Sequence, residues 1–196
     1  MPSAAAIKYK ELTTRASVIL KADRRKLGHK EVQALYGAAF VAQTAAWNAY
    51  VVRLVHCFFQ EVANPEAANF HAMHTLANSI ARSQLERFYT PNAENTRNLI
   101  LASTGYDPWT DWQWPARGMN ALAVRNQLNE ILKVRHSLAH GFAMPAYSWT
   151  QAVSGEIRLT LHNFGQTRAF INHLVVSTDR GLKNHLIGVY AVIPKW

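Results

Sequence analysis

Residues 120–141 read NALAVRNQLNEILKVRHSLAHG, and how this stretch is decoded sets the fold. A helix is expected from Asn120 to His140 with Gly141 as its stop, and along it Val124, Leu128, Ile131, Leu132 and Leu138 share one face. That period is helical, with an oily face turned toward a core. Near the middle of the face stands Arg135, where an apolar residue is expected. An unpaired guanidinium buried there would be strongly destabilising, so its presence implies an anion. The anion is a carboxylate or a phosphate, and the two lead to different proteins. Two histidines, His136 and His140, follow one turn apart on one side of the helix.

The same periodicity extends outward from this helix. A basic helix is expected from Ala4 to Leu27, with Tyr9, Leu12, Ala16 and Ile19 on one stripe and Gly28 as its stop. A long central helix follows from Lys30 to Ala63, carrying Phe40, Thr44, Trp47, Val51, Leu54 and Phe58 inward and ended by Asn64-Pro65. Glu66 to Tyr89 reads as a third helix, with Phe70, Met73, Ala77, Ile80 and Phe88 facing the core. After the turn Thr90-Pro91-Asn92 comes a short helix, Ala93 to Ser103. The loop Gly105 to Gly118 holds three tryptophans, which read either as a lid pinned to the core or as a stacking surface for bases.

Beyond Gly141 the pattern changes. Glu156 to His162 alternates Ile157, Leu159 and Leu161 with polar residues, the period of a strand, and Val189 to Ile193 is its plausible partner across a helical Gln166–Leu186. The expectation is one mainly all-α domain over residues 1–196, with at most a short β-pair near the C-terminus.

Composition narrows the class. Of 196 residues 49% are hydrophobic and 17% charged, a globular balance. The stretch Leu35 to Tyr50 is the oiliest, but Gln43, Thr44 and Asn48 make it too polar to span a bilayer. Lys8, Lys10, Glu11 and Arg15 interrupt any export signal, and a lone Cys57 excludes an internal disulfide, so a reducing cytoplasm is expected. The net charge of +9 is concentrated in residues 1–30, which hold eight Lys/Arg against two acids. Such a segment is either a solvated face or a salt-sensitive contact to a phosphate backbone.

Spacing alone does not single out the arginine and histidine of the long helix. With 13 Arg and 9 His, chance supplies about 0.6 Arg-x4-His pairs, and the chain has four, beginning at Arg24, Arg135, Arg168 and Arg180. Context selects Arg135–His140, the one pair that closes a long amphipathic helix directly before a glycine. In that setting the segment resembles the HEPN superfamily of helical RNA-cleaving and RNA-binding domains, whose signature is Arg-x4-6-His at the end of a bundle helix. The Ala139-His140-Gly141 ending is similar to the RiboL-PSP-HEPN type. Two further stretches share the likeness: Trp47-Asn48-Ala49-Tyr50 on the long helix, and Phe88-Tyr89-Thr90-Pro91-Asn92 before the short one. The family often has an acid where this chain has Asn48.

The resemblance implies a HEPN-like bundle acting as a homodimer, with its cleft at the interface. It also implies a toxin or antiviral-defence ribonuclease, an antitoxin partner, and products ending in a 2′,3′-cyclic phosphate. The chemistry suits the residues. Metal-independent cleavage of RNA needs a base for the 2′-hydroxyl, an acid for the leaving oxygen and a cation for the phosphorane, and imidazole and guanidinium fill those roles. His140 and His136 are candidates for proton transfer, with Arg135 for the phosphate. The second proton carrier is either His136 or His140 of a second copy. Asn48, Arg125 and Lys133 stand as substrate-binding candidates, with no cofactor and no metal expected.

Competing readings are kept beside this one. Arg135 can pair with Glu61 or Glu86 inside the bundle, with His140 capping the helix end. His136 and His140 have the spacing of a zinc pair but lack an evident third ligand. Ser137 is expected to face away from the groove side. A non-catalytic RNA-binding or protein-interaction module is the alternative, and Asn48 is its best support.

Overall fold

The computed structural model describes residues 1–21, 25–63, 68–151 and 155–196, without the side chains of 68 and 69. It is a bundle of six α-helices among the described residues: α1 (Ala4–Ile19), α2 (His29–Glu61), α3 (Ala68–Glu86), α4 (Ala93–Thr104), α5 (Ala121–His140) and α6 (Leu161–Tyr190). None of them is long and apolar enough to cross a membrane. The expected helix boundaries Asn64-Pro65 and Glu66, and Arg24 of the first Arg-x4-His pair, lie outside the described residues.

Helix α2 is the central column, and its periodic set Phe40, Thr44, Trp47, Val51, Leu54 and Phe58 is buried throughout. Helices α5 and α6 pack on it through Val124, Leu128, Ile131, Ile171, Leu174 and Leu182. Gly37 marks the close approach of α2 to α5, since a Cβ there would sit 3.5 Å from Leu138 Cδ2. Gly181 on α6 is under a stricter demand than Gly37: a Cβ would fall 1.9 Å from the Tyr106 hydroxyl, so only hydrogen lets the Tyr106–Asp111 pair (2.7 Å) lie against the helix. The start of the chain is tied down by Ser3, whose side chain caps α1 at Ala6 N and whose N–H and Oγ–H both donate to Asp179 on α6.

Gly28 does not stop α1, which ends at Ile19; it opens α2 instead, with its N–H donating to Glu31 Oε2 at 2.7 Å. Helix α3 faces the other way from the expectation. Phe70, Met73 and Ile80 are 50%, 73% and 53% exposed, while Ala81, Leu85 and His74 meet the bundle. His74 fixes this rotation, through an Nε2 contact to the Phe59 carbonyl at 3.1 Å and an edge-on ring contact with Phe59.

The short C-terminal β-pair that the sequence allowed at most does not form among the described residues; an isolated bridge, Gln151–Ile157, is all that forms there. Two local interactions outcompete it. The carboxamide of Gln33 on α2 bonds both main-chain groups of Leu159, donating to its carbonyl at 2.9 Å and accepting from its N–H at 3.1 Å, as a neighbouring strand would. Thr160 and Asn163 then cap each other and start α6 at Leu161, inside the expected strand, and the helix runs on through Val189 and Tyr190. The tryptophan loop is pinned to its own core. Trp112 is fully buried with Nε1 donating to Thr178 at 2.9 Å, and Trp114 stacks on His173 at 4.5 Å.

Candidate functional site

The end of α5 carries the chemistry. Asn120 caps its start, accepting from Ala123 N, and Gly141 ends it in the left-handed conformation (φ 71°). The last turn therefore stops with His140 at the surface. His136 and His140 lie on one side with ring centroids 4.5 Å apart, and exposed Phe142 packs beside both, at 5.7 and 5.9 Å. Neither imidazole makes a hydrogen bond to a described residue. Of the other pairs with the same spacing, Arg24 lies outside the described residues, and three further members are engaged in structure. His173 and His185 hold the main-chain carbonyls of Gln113 and Thr104, and Arg168 bonds Ser17.

A groove of ≈ 650 Å³ runs along α5 below these rings, lined by Thr90, Asn92, Asn129, Lys133, His136 and Ser137 among others. Ser137 faces this groove instead of turning away, because the buried side of α5 swings round at its C-terminal end to take in Val134 and Ser137. The groove's far wall is the Thr90–Asn92 turn, which the sequence marks as a shared stretch without marking it as a site. Its position is hydrogen-bonded from both sides. Trp47 Nε1 donates to the Pro91 carbonyl at 3.0 Å, and Ala93 N donates to Asn129 Oδ1 at 2.9 Å. Trp47 and the turn thus join α5 at Asn129, about 16 Å along the helix from His140. Asn129, which also donates to Glu94 at 3.1 Å, is the link that sequence reading missed; its place three turns before His140 on the same side of α5 is the available signal.

Arg135 is half-buried and has no ion pair or hydrogen bond with any described residue. Glu61, one of its candidate internal partners, instead accepts from Lys195 N at 3.2 Å. Five residues separate Arg135 from His140, so the two side chains leave the helix about 140° apart. One chain presents them on different sides of α5.

The remaining candidates separate. Lys133 lines the groove one turn before His136. Arg125 does not reach it. Its guanidinium stacks over Trp109 at 4.1 Å, as does that of Arg97 at 4.4 Å, about 12 Å along α5 from Lys133. Asn48 is half-buried on α2, about 16 Å along the axis from Gly37 and so from the contact with Leu138. Its Oδ1 is buried with no hydrogen-bond partner. No three His, Cys, Asp or Glu side chains gather at metal-binding distance among the described residues. No family model, no curated protein and no solved structure matches this chain.

Proposed function

We propose that the groove along α5 binds RNA and that the chain is a metal-independent endoribonuclease working as a homodimer. The observation that carries this reading is the pair of exposed imidazoles 4.5 Å apart, free of hydrogen bonds among the described residues, with Lys133 on the groove and, on another side of α5, an Arg135 that no described carboxylate neutralises. Lys133, which lines the groove without an ion pair among the described residues, suits a phosphate backbone, while Glu94 on the same groove is held by Asn129. In this mechanism one imidazole takes the proton from the 2′-hydroxyl, whose oxygen attacks the adjacent phosphorus. The bond to the 5′-oxygen breaks, a second imidazole protonates that oxygen, and a 2′,3′-cyclic phosphate remains. Arg135 bears the charge of the phosphorane. A toxin or defence setting, with an antitoxin partner, belongs to this proposal through the resemblance.

The angle between Arg135 and His140 favours the two-chain form, because a second copy can bring its arginine to the first copy's histidines. The same angle favours, for a lone chain, a binding module without catalysis. Incubation of purified protein with RNA in EDTA decides between them. Cleavage by the wild type, reduced about 10²–10⁴-fold in His140→Ala and in Arg135→Ala with RNA binding retained in His140→Ala, supports the nuclease. Binding without cleavage by the wild type supports the module, and wild-type cleavage by His140→Ala ends the catalytic assignment.

A further inference from the structure

A second cavity, of ≈ 240 Å³, lies between the tryptophan loop, the first half of α5 and the start of α6. Gln127 on its wall and His136 on the groove are nine residues apart, half a turn round α5, so the cavity is separate from the groove and does not depend on the nuclease reading. We infer that this cavity binds a nucleobase, either as a free nucleotide or as an unpaired base of an RNA strand.

The walls are aromatic and rigidly held. Trp114 is backed by the His173 ring, nearly parallel at 6° and 4.5 Å, so it presents a fixed flat surface. Phe170 stands 6.4 Å from it at a tilt of 42°. Trp149 is immobilised by its Nε1 bond to Glu130 (2.8 Å) and by stacking against Phe40 and Tyr147. The volume is below the roughly 300–1,000 Å³ of sites for drug-sized ligands, which suits one planar ring system.

The polar groups distinguish a base from an oily ligand. Thr167 lines the cavity, and its hydroxyl makes no hydrogen bond among the described residues. The carboxamides of Gln127 and Gln166 line it too and are equally unpaired. An occupant that hydrogen-bonds this hydroxyl gains binding energy that a hydrocarbon cannot. A carboxamide offers one donor side and one acceptor side, the pattern with which Gln reads the edge of adenine. No carboxylate lines the cavity, and exposed Arg117, whose guanidinium stands 5.4 Å from the Trp114 ring centroid, has no ion pair among the described residues. On its flexible stem it can swing from the ring to the phosphate attached to the base.

Calorimetric titration with adenosine 5′-monophosphate, ribose 5-phosphate and a short single-stranded RNA tests the site. The nucleotide is expected to saturate one site per chain. Thr167→Val, which keeps the side-chain shape, and Gln127→Ala are each expected to weaken it about fivefold, the worth of one neutral hydrogen bond. Exposed Gln166→Ala serves as a third variant if either fails to fold, as judged by circular dichroism. Loss of RNA affinity in the same variants identifies a strand base as the occupant, and loss confined to the nucleotide identifies the free form; both support the site. No saturable binding, equal binding of ribose 5-phosphate, or unchanged affinity in folded Thr167→Val overturns it.

Discussion

A single guanidinium can do structural or chemical work, and its neighbours decide which. Arg97 illustrates the first case: it grips Asp107 with both Nε and Nη2, at 3.0 and 2.6 Å, and lies over Trp109. This partner holds the Asp107 carboxyl below its ordinary value of 3.8. A carboxyl lowered in the folded state adds stability above its ordinary pKa, and that contribution is lost as pH falls through the lower folded value. Acid titration followed by circular dichroism should therefore show a loss below about pH 3.8 that Asp107→Asn removes. Arg135 is the second case, with the same side chain and no carboxylate partner among the described residues. The sequence marks Arg135 as out of place on an oily face, but it cannot show whether Glu61 or Glu86 comes to meet it, because that depends on how separate helices pack. For the same reason Arg125 reads like Lys133 in sequence, although Trp109 occupies one and the groove the other.

Helices whose apolar period is long were legible, and segments decided by one cross-chain bond were not. The set on α2 is buried as its spacing demands, whereas Glu156–His162 alternates like a strand and becomes the lead-in to α6. Gln33 makes that outcome possible by bonding both main-chain groups of Leu159, which is 3% exposed. Gln33→Ala leaves these two groups unpaired and should cost about 2 kcal/mol, seen as a fall of roughly 4–8 °C in Tm. Gln33→Glu, which keeps an acceptor for the Leu159 N–H but loses the donor to its carbonyl, should fall less than Gln33→Ala. An unchanged Tm in Gln33→Ala would show that the contact is incidental. Helix α3 went astray for a related reason: its oily stripe is real, but a polar contact from His74 to the Phe59 carbonyl turns the stripe outward.

At the scale of the whole molecule, charge and symmetry remain to be tested. Lys10, Arg15 and Lys21 are exposed on or just after α1 within the segment that carries most of the excess positive charge. If they follow a single RNA strand, replacing all three with Gln should reduce the slope of log affinity against log salt by about 2; an unchanged slope places the backbone contacts elsewhere. The divergence of Arg135 and His140 around α5 has a genetic consequence. If the proposed dimeric nuclease forms, a variant lacking the guanidinium and one lacking the imidazole should restore one another when unfolded together and reassembled. Random pairing makes half the molecules hybrids, each with one whole centre and one doubly damaged one, so roughly a quarter of the wild-type cleavage should return. Recovery of none would mean that each polypeptide carries its centre alone.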